Sequence, residues 1–170
     1  MTNERDVKYM MECIELAEKA AKEDEVPVGA IVVCGDRIVG RGYNRRESDR
    51  CATHHAEILA IEEACATLGG WRLPNCTLYV TLEPCIMCAG AIVNARIDRV
   101  VFGAYDEKSG GFGSVIDVTK LGLNYKVTGE GGFLADECRR LLSEYFRGKR
   151  KNAKITKCQD VSANIIENNE

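Results

Sequence analysis

Three residues with metal-binding side chains and one carboxylate stand in two short clusters, His55-Ala56-Glu57 and Pro84-Cys85-Ile86-Met87-Cys88. One imidazole and two thiolates suit zinc, which takes nitrogen and sulfur donors tetrahedrally and, in catalytic sites, keeps one position for water. His55, Cys85 and Cys88 would hold such an ion with that position free. Water on the metal loses its proton near neutral pH and becomes a nucleophile for an electron-poor ring carbon. Glu57, left off the metal, is placed to carry the proton onward.

Spacing constrains the elements that must position these groups. Cys85 and Cys88 are three apart and share a face if Cys85 opens a helix, which the run over residues 87–93 suggests. Pro84 fits a helix start, and the positive end of a helix favours thiolates. His55 and Glu57 are two apart and would diverge on a mid-helix surface, so they must converge from a helix end. The apolar series Ile58, Leu59, Ile61, Ala64, Cys65, Leu68 begins there and puts His55 in the first turn. A lone Cys-x-x-Cys also suits a redox pair or half of a structural zinc knuckle. No second Cys-x-x-Cys completes a four-thiolate site, and only His55, not His54, is followed by glutamate two residues later. His54 is read as structural or substrate-facing.

The wider chain reads as α/β. A helix is expected over residues 5–23, then strands over 28–34 and 37–43 joined by a Gly35-Asp36 hairpin. A helix over 55–68, a strand over 77–82, a helix over 85–95 and a strand over 99–102 follow. Residues 103–113 are glycine-rich and irregular, a short strand begins at 125–127, and an amphipathic helix covers 134–147. Such alternation indicates an α/β sandwich.

A chain of 170 residues that is 45% hydrophobic suits one compact unit. That unit is residues 1–150, including a basic terminal helix, with 151–170 a polar tail expected to fray. Nine cysteines without a framework pattern suit a reducing compartment. With no apolar leader and no spanning run, a cytoplasmic location and no membrane partner are expected.

The net charge of -3 conceals an asymmetry. Residues 139–157 hold Arg139, Arg140, Arg147, Lys149, Arg150, Lys151, Lys154 and Lys157 against Glu144 alone. Tyr145 and Phe146 lie inside this stretch, and cations beside aromatics suit a single-stranded RNA loop, through phosphate neutralisation and base stacking. The plainer reading is a solvated terminal helix with one of the two aromatics packed on the core.

His-x-Glu with Pro-Cys-x-x-Cys is the established signature of zinc-dependent nucleobase deaminases. Together with Pro27-Val28-Gly29-Ala30, Gly42-Tyr43-Asn44-Arg45, Leu78-Tyr79-Val80-Thr81-Leu82-Glu83 and Arg99-Val100-Val101-Phe102-Gly103-Ala104, it makes the chain resemble the bacterial tRNA-specific adenosine deaminases. The resemblance implies a cytidine deaminase-like three-layer α/β/α sandwich with a mixed five-stranded sheet, one Zn2+ per subunit, and a homodimer. It implies hydrolytic deamination of adenosine to inosine at the wobble position of tRNA anticodon loops, with Glu57 as the catalytic proton carrier. It further implies that Asn44 hydrogen-bonds the flipped base, and that Arg72, Asp106, Lys108, Asn124 and Phe146 contact the loop, Asp106 at a ribose hydroxyl. Two other readings stay open at this point. A deaminase of guanine, cytosine or a nucleoside shares every metal-site residue but has little use for the basic segment. A non-catalytic zinc RNA-binding module would need no Glu57.

Overall fold

The computed structural model describes the backbone of residues 4–167 and the side chains of residues 4–152. Five strands form one sheet in the order β2-β1-β3-β4-β5. They are β1 (Gly29–Cys34), β2 (Arg37–Tyr43), β3 (Cys76–Leu82), β4 (Arg99–Ala104) and β5 (Thr128–Gly131). β1 runs antiparallel to β2 and β3, whereas β3, β4 and β5 are parallel. The helices are α1 (Glu4–Lys22), α2 (Ala56–Leu68), α3 (Ile86–Asn94) and α4 (Ala135–Glu167).

Strand alternation divides the apolar residues between two cores. Ala30, Val32, Leu78, Val80, Val100 and Phe102 face α2 and α3. Ile31, Val33, Tyr79 and Val101 face the other way, against Tyr9, Met10, Cys13 and Ile14 of α1 and Cys138 of α4. Both faces are thus covered, which makes the expected three-layer sandwich. Among the described residues no helix is long and apolar enough to cross a membrane.

One buried polar cluster ties α1 to the sheet. The Asp6 carboxylate accepts both guanidinium nitrogens of Arg99 at 2.9 Å and the Tyr79 hydroxyl at 2.6 Å. Arg99 also donates to Glu130 of β5 at 2.7 Å.

Two elements differ from the sequence expectation. β5 lies at Thr128–Gly131 rather than 125–127. Val127 is a buried anchor immediately before the strand, while the strand itself is Thr-Gly-Glu-Gly, a composition that reads as a turn. Gly131 is required there, because a Cβ would lie 2.4 Å from the Phe102 ring. α4 continues to Glu167, well past residue 147. Residues 148–167 contain no proline, and the single Gly148 costs a helix only about 1 kcal/mol. The side chains of the expected tail from residue 153 onward, Lys154 and Lys157 included, lie outside the described residues, as does the backbone of 168–170.

Candidate active site

The site forms where two helix starts meet. His55 is the N-cap of α2 and Cys85 the N-cap of α3, both with extended backbone and neither making a side-chain cap hydrogen bond. His55 therefore precedes the first turn instead of lying in it. This frees the ring to turn away from the helix while Glu57, inside the turn, points into the protein. His55 Nδ1 lies 3.6 Å from the Sγ of Cys85 and 3.6 Å from that of Cys88. The three donor atoms fall within 4.8 Å of one another and could hold one metal ion. The aligned peptide dipoles of both helices place positive ends here, which favours thiolate. A hydrogen bond from Cys88 draws Cys85 down to about 4, and the same contact with burial pushes Cys88 up.

α2 can reach this position because Gly42 of β2 has no side chain. A Cβ there would meet the Ala56 carbonyl at 2.1 Å, in the turn that carries Glu57. Glu57 is 4% exposed, and its burial pushes it up to about 7. It lines a cavity of about 110 Å³ with His55, Cys85, Asn44 and Asp106.

Two carboxylates not singled out from sequence support that cavity, Glu83 in its wall and Glu25 through Asn44. Glu25, 1% exposed, accepts from Asn44 Nδ2 at 3.1 Å and from the Ser48 N–H and hydroxyl at 2.7 and 2.8 Å. Glu83, also 1% exposed, accepts from the N–H groups of Asp106, Phe112 and Ser114 at 3.1, 2.9 and 3.1 Å, and from the Ser114 hydroxyl. The available signal was a charged residue against an apolar strand: Glu83 follows β3 directly, and Glu25 stands just before Val26-Pro27-Val28. Arg46, also missed, lines the same cavity. His54 Nδ1 pairs with Asp49 at 2.8 Å, and Asp49 is held in turn by Arg45.

The remaining expected contacts divide into near and far. Asn44 and Asp106 line the cavity, and the Asp106 carboxylate accepts from Ser109 Oγ and the Lys108 N–H. Lys108 is exposed on that same loop. A second cavity of about 460 Å³ shares Val26, Asn44 and Arg46 with the first and is walled by Tyr145 and Lys149 of α4. Tyr145 donates to the Asp24 carbonyl at 2.8 Å and Lys149 pairs with the Asp24 carboxylate at 2.6 Å, so Tyr145 is the packed aromatic. Phe146 stays 43% exposed, edge-on to Tyr145. Arg72 stacks over exposed Trp71 beyond the far end of α2, roughly 20 Å from His55 at 1.5 Å per helical residue. Asn124 binds Arg96 beyond the far end of α3. Neither lines either cavity.

Comparison with known proteins identifies the arrangement. Residues 4–150 match the MafB19-like deaminase family. The chain belongs to that family. The deaminase is 45% identical over 154 residues to the tRNA-specific adenosine deaminase of Bacillus subtilis (strain 168), covering 90% of this chain and 96% of the relative. It is 45% identical over 159 residues to that of Haemophilus influenzae, covering 91% of each. Among solved structures, one from a study of A-to-I editing by tRNA:A34 deaminases at the wobble position superposes with a TM-score of 0.77 at 39% identity, over 79% of this chain and 99% of the other. Guanine deaminase from Nitrosomonas europaea superposes with a TM-score of 0.69 at 28% identity, over 82% and 83%.

Proposed function

We propose that this deaminase converts adenosine to inosine at the wobble position of tRNA anticodon loops, as a cytoplasmic homodimer with one zinc ion per subunit. The observation that carries the reading is the convergence of His55, Cys85 and Cys88 beside a buried Glu57, in a chain 45% identical to tRNA-specific adenosine deaminases. Bonds of about 2.0 Å to nitrogen and 2.3 Å to sulfur at tetrahedral angles set those donors about 3.6 Å apart. His55 Nδ1 lies 3.6 Å from each sulfur, so the donor set fits zinc.

Zinc held there supplies a Lewis acid and a water acidified toward neutral pH. The rest of the chemistry belongs to side chains. Glu57, poised at about 7, takes one proton of the attacking water and gives it to the ring nitrogen, then takes the second from the new C6 hydroxyl and gives it to the departing amine. Adenosine and water become inosine and ammonia. Asn44 orients the base. The Glu25 carboxylate can only accept, so it fixes Nδ2 of the Asn44 amide and leaves the second N–H and Oδ1 for the ligand. The adjoining cavity offers Arg46 and Lys149 to the flanking strand, with exposed Phe146 beside it for stacking.

Deamination of an anticodon stem-loop with a wobble adenosine, run beside free adenosine, adenine, cytidine and guanine, tests the reading. Inosine is expected in the RNA alone, with one zinc per chain by metal analysis. Turnover of guanine alone would overturn the RNA substrate while keeping the metal chemistry.

A further inference from the structure

Cys34 ends β1, Cys76 opens β3, and the antiparallel register sets them directly opposite one another. Directly opposed side chains leave the sheet on one face, and both cysteines pack in the core beneath α2 and α3. The Cys76 carbonyl accepts from the Asp98 N–H at 3.2 Å, on the β4 side. Cys34 and Cys76 are therefore a non-hydrogen-bonded pair, with Cα atoms about 4.5 Å apart and side chains at their closest. Disulfides span about 4.4 to 6.8 Å between Cα atoms. Cys34 is partly exposed beside the Gly35-Asp36 turn, and Cys76 is buried.

We propose that Cys34 and Cys76 form a reversible cross-strand disulfide, oxidised by hydroperoxides and reduced by thiols. Cys34 reacts first because it is the accessible one. Its sulfur attacks a peroxide oxygen; an S–O bond forms, the O–O bond breaks, and the thiol proton leaves with the departing oxygen as water or alcohol. The Cys76 sulfur then attacks the sulfenic sulfur of Cys34. An S–S bond forms, the S–O bond breaks, and the Cys76 proton leaves with the hydroxyl as water. The two thiols lose two electrons and the peroxide gains two. Burial and the neighbouring Cys34 push Cys76 up to about 12, which suits the second role rather than the first. The link lies at the start of β3, roughly 20 Å from the end that leads to Cys85 at about 3.3 Å per residue, so it leaves the metal donors in place.

The test treats the zinc-loaded full chain with hydrogen peroxide, blocks free thiols, and maps the unreduced peptides by mass spectrometry. A Cys34–Cys76 peptide pair that disappears on adding dithiothreitol is expected, with metal content and deamination retained. Cys34→Ser should abolish the link and leave Cys76 a free thiol, whereas Cys65→Ser should keep the link, separating the pair from the nearby third cysteine. Sulfinic acid at Cys34 with Cys76 still a thiol, a Cys65–Cys76 link instead, or a link formed only in denaturant would each overturn the proposal.

Discussion

Glu57 and Asp6 are both carboxylates sealed from solvent, 4% and 2% exposed, yet their surroundings move their proton affinities in opposite directions. Asp6 meets the bidentate guanidinium of Arg99 and the Tyr79 hydroxyl, and these hold it below the usual carboxylate range. Glu57 has no such partner, and burial pushes it up to about 7. Burial alone therefore does not tell a working acid from a structural one. A guanidinium bonded to both of its oxygens fixes the charge of Asp6, whereas Glu57 carries no guanidinium bond and burial favours its protonated form.

The sharpest way to break this comparison is to neutralise each carboxylate. Glu57→Gln is expected to lower the deamination rate by about 10⁴-fold, the upper range for a positioned acid-base group, with metal content and thermal stability unchanged. Single-turnover rates beside metal analysis check it, and a variant that kept its rate with metal bound would remove Glu57 from the chemistry. Asp6→Asn should do the reverse: unchanged chemistry per folded molecule, and a stability loss of about 3 kcal/mol by chemical denaturation, since one partner of a buried pair is removed. A pH series sharpens the same contrast. The folded value of Asp6 lies below its ordinary 3.8, so its contribution is fully present above that pH and is lost as pH falls through the lower folded value. The stability gap between the parent protein and Asp6→Asn should be largest above pH 3.8 and shrink as pH falls below it; a gap that persisted in strong acid would assign the loss to packing.

Gly42→Ala tests what positions Glu57. The new methyl would strike the Ala56 carbonyl, and a stability loss of about 2 kcal/mol with reduced deamination is expected from overpacking. The smallest effect is expected for Glu25→Ala, about tenfold in RNA deamination through loss of the hydrogen bond that orients Asn44, with zinc retained.

The convergence of His55, Cys85 and Cys88 was legible in the chain because its logic is local. The spacing of His55 and Glu57 demanded a helix end, and the structure makes His55 an N-cap. Core strands were legible for the same reason: β-branched runs flanked by turn residues define them. β5 was not, because its fit against Phe102 demands glycine, the residue that argues against a strand. Glu25 and Glu83 were also hidden. The partners of Glu83 are chiefly backbone N–H groups, which leave no mark in sequence, and those of Glu25 are one backbone N–H and the side chains of Asn44 and Ser48, about twenty residues further along. Arg72 and Asn124 rest on family likeness alone, and the structure puts them beyond the far ends of α2 and α3, lining neither cavity.

The Glu83 anchor also bears on how such an enzyme can change. Three of its four donors, from Asp106, Phe112 and Ser114, are main-chain groups that almost any residue supplies. One side chain two positions from Cys85 thus helps hold the loop's course, and among the loop's own side chains the exposed Glu107 and Lys108 are left free to vary. Substitutions at Glu107 and Lys108 can then accumulate at the cavity's rim without loosening the catalytic frame, whereas a side chain at Gly110 or Gly111 would strike Glu83 or Ala89, so change in this enzyme is channelled to the two exposed positions.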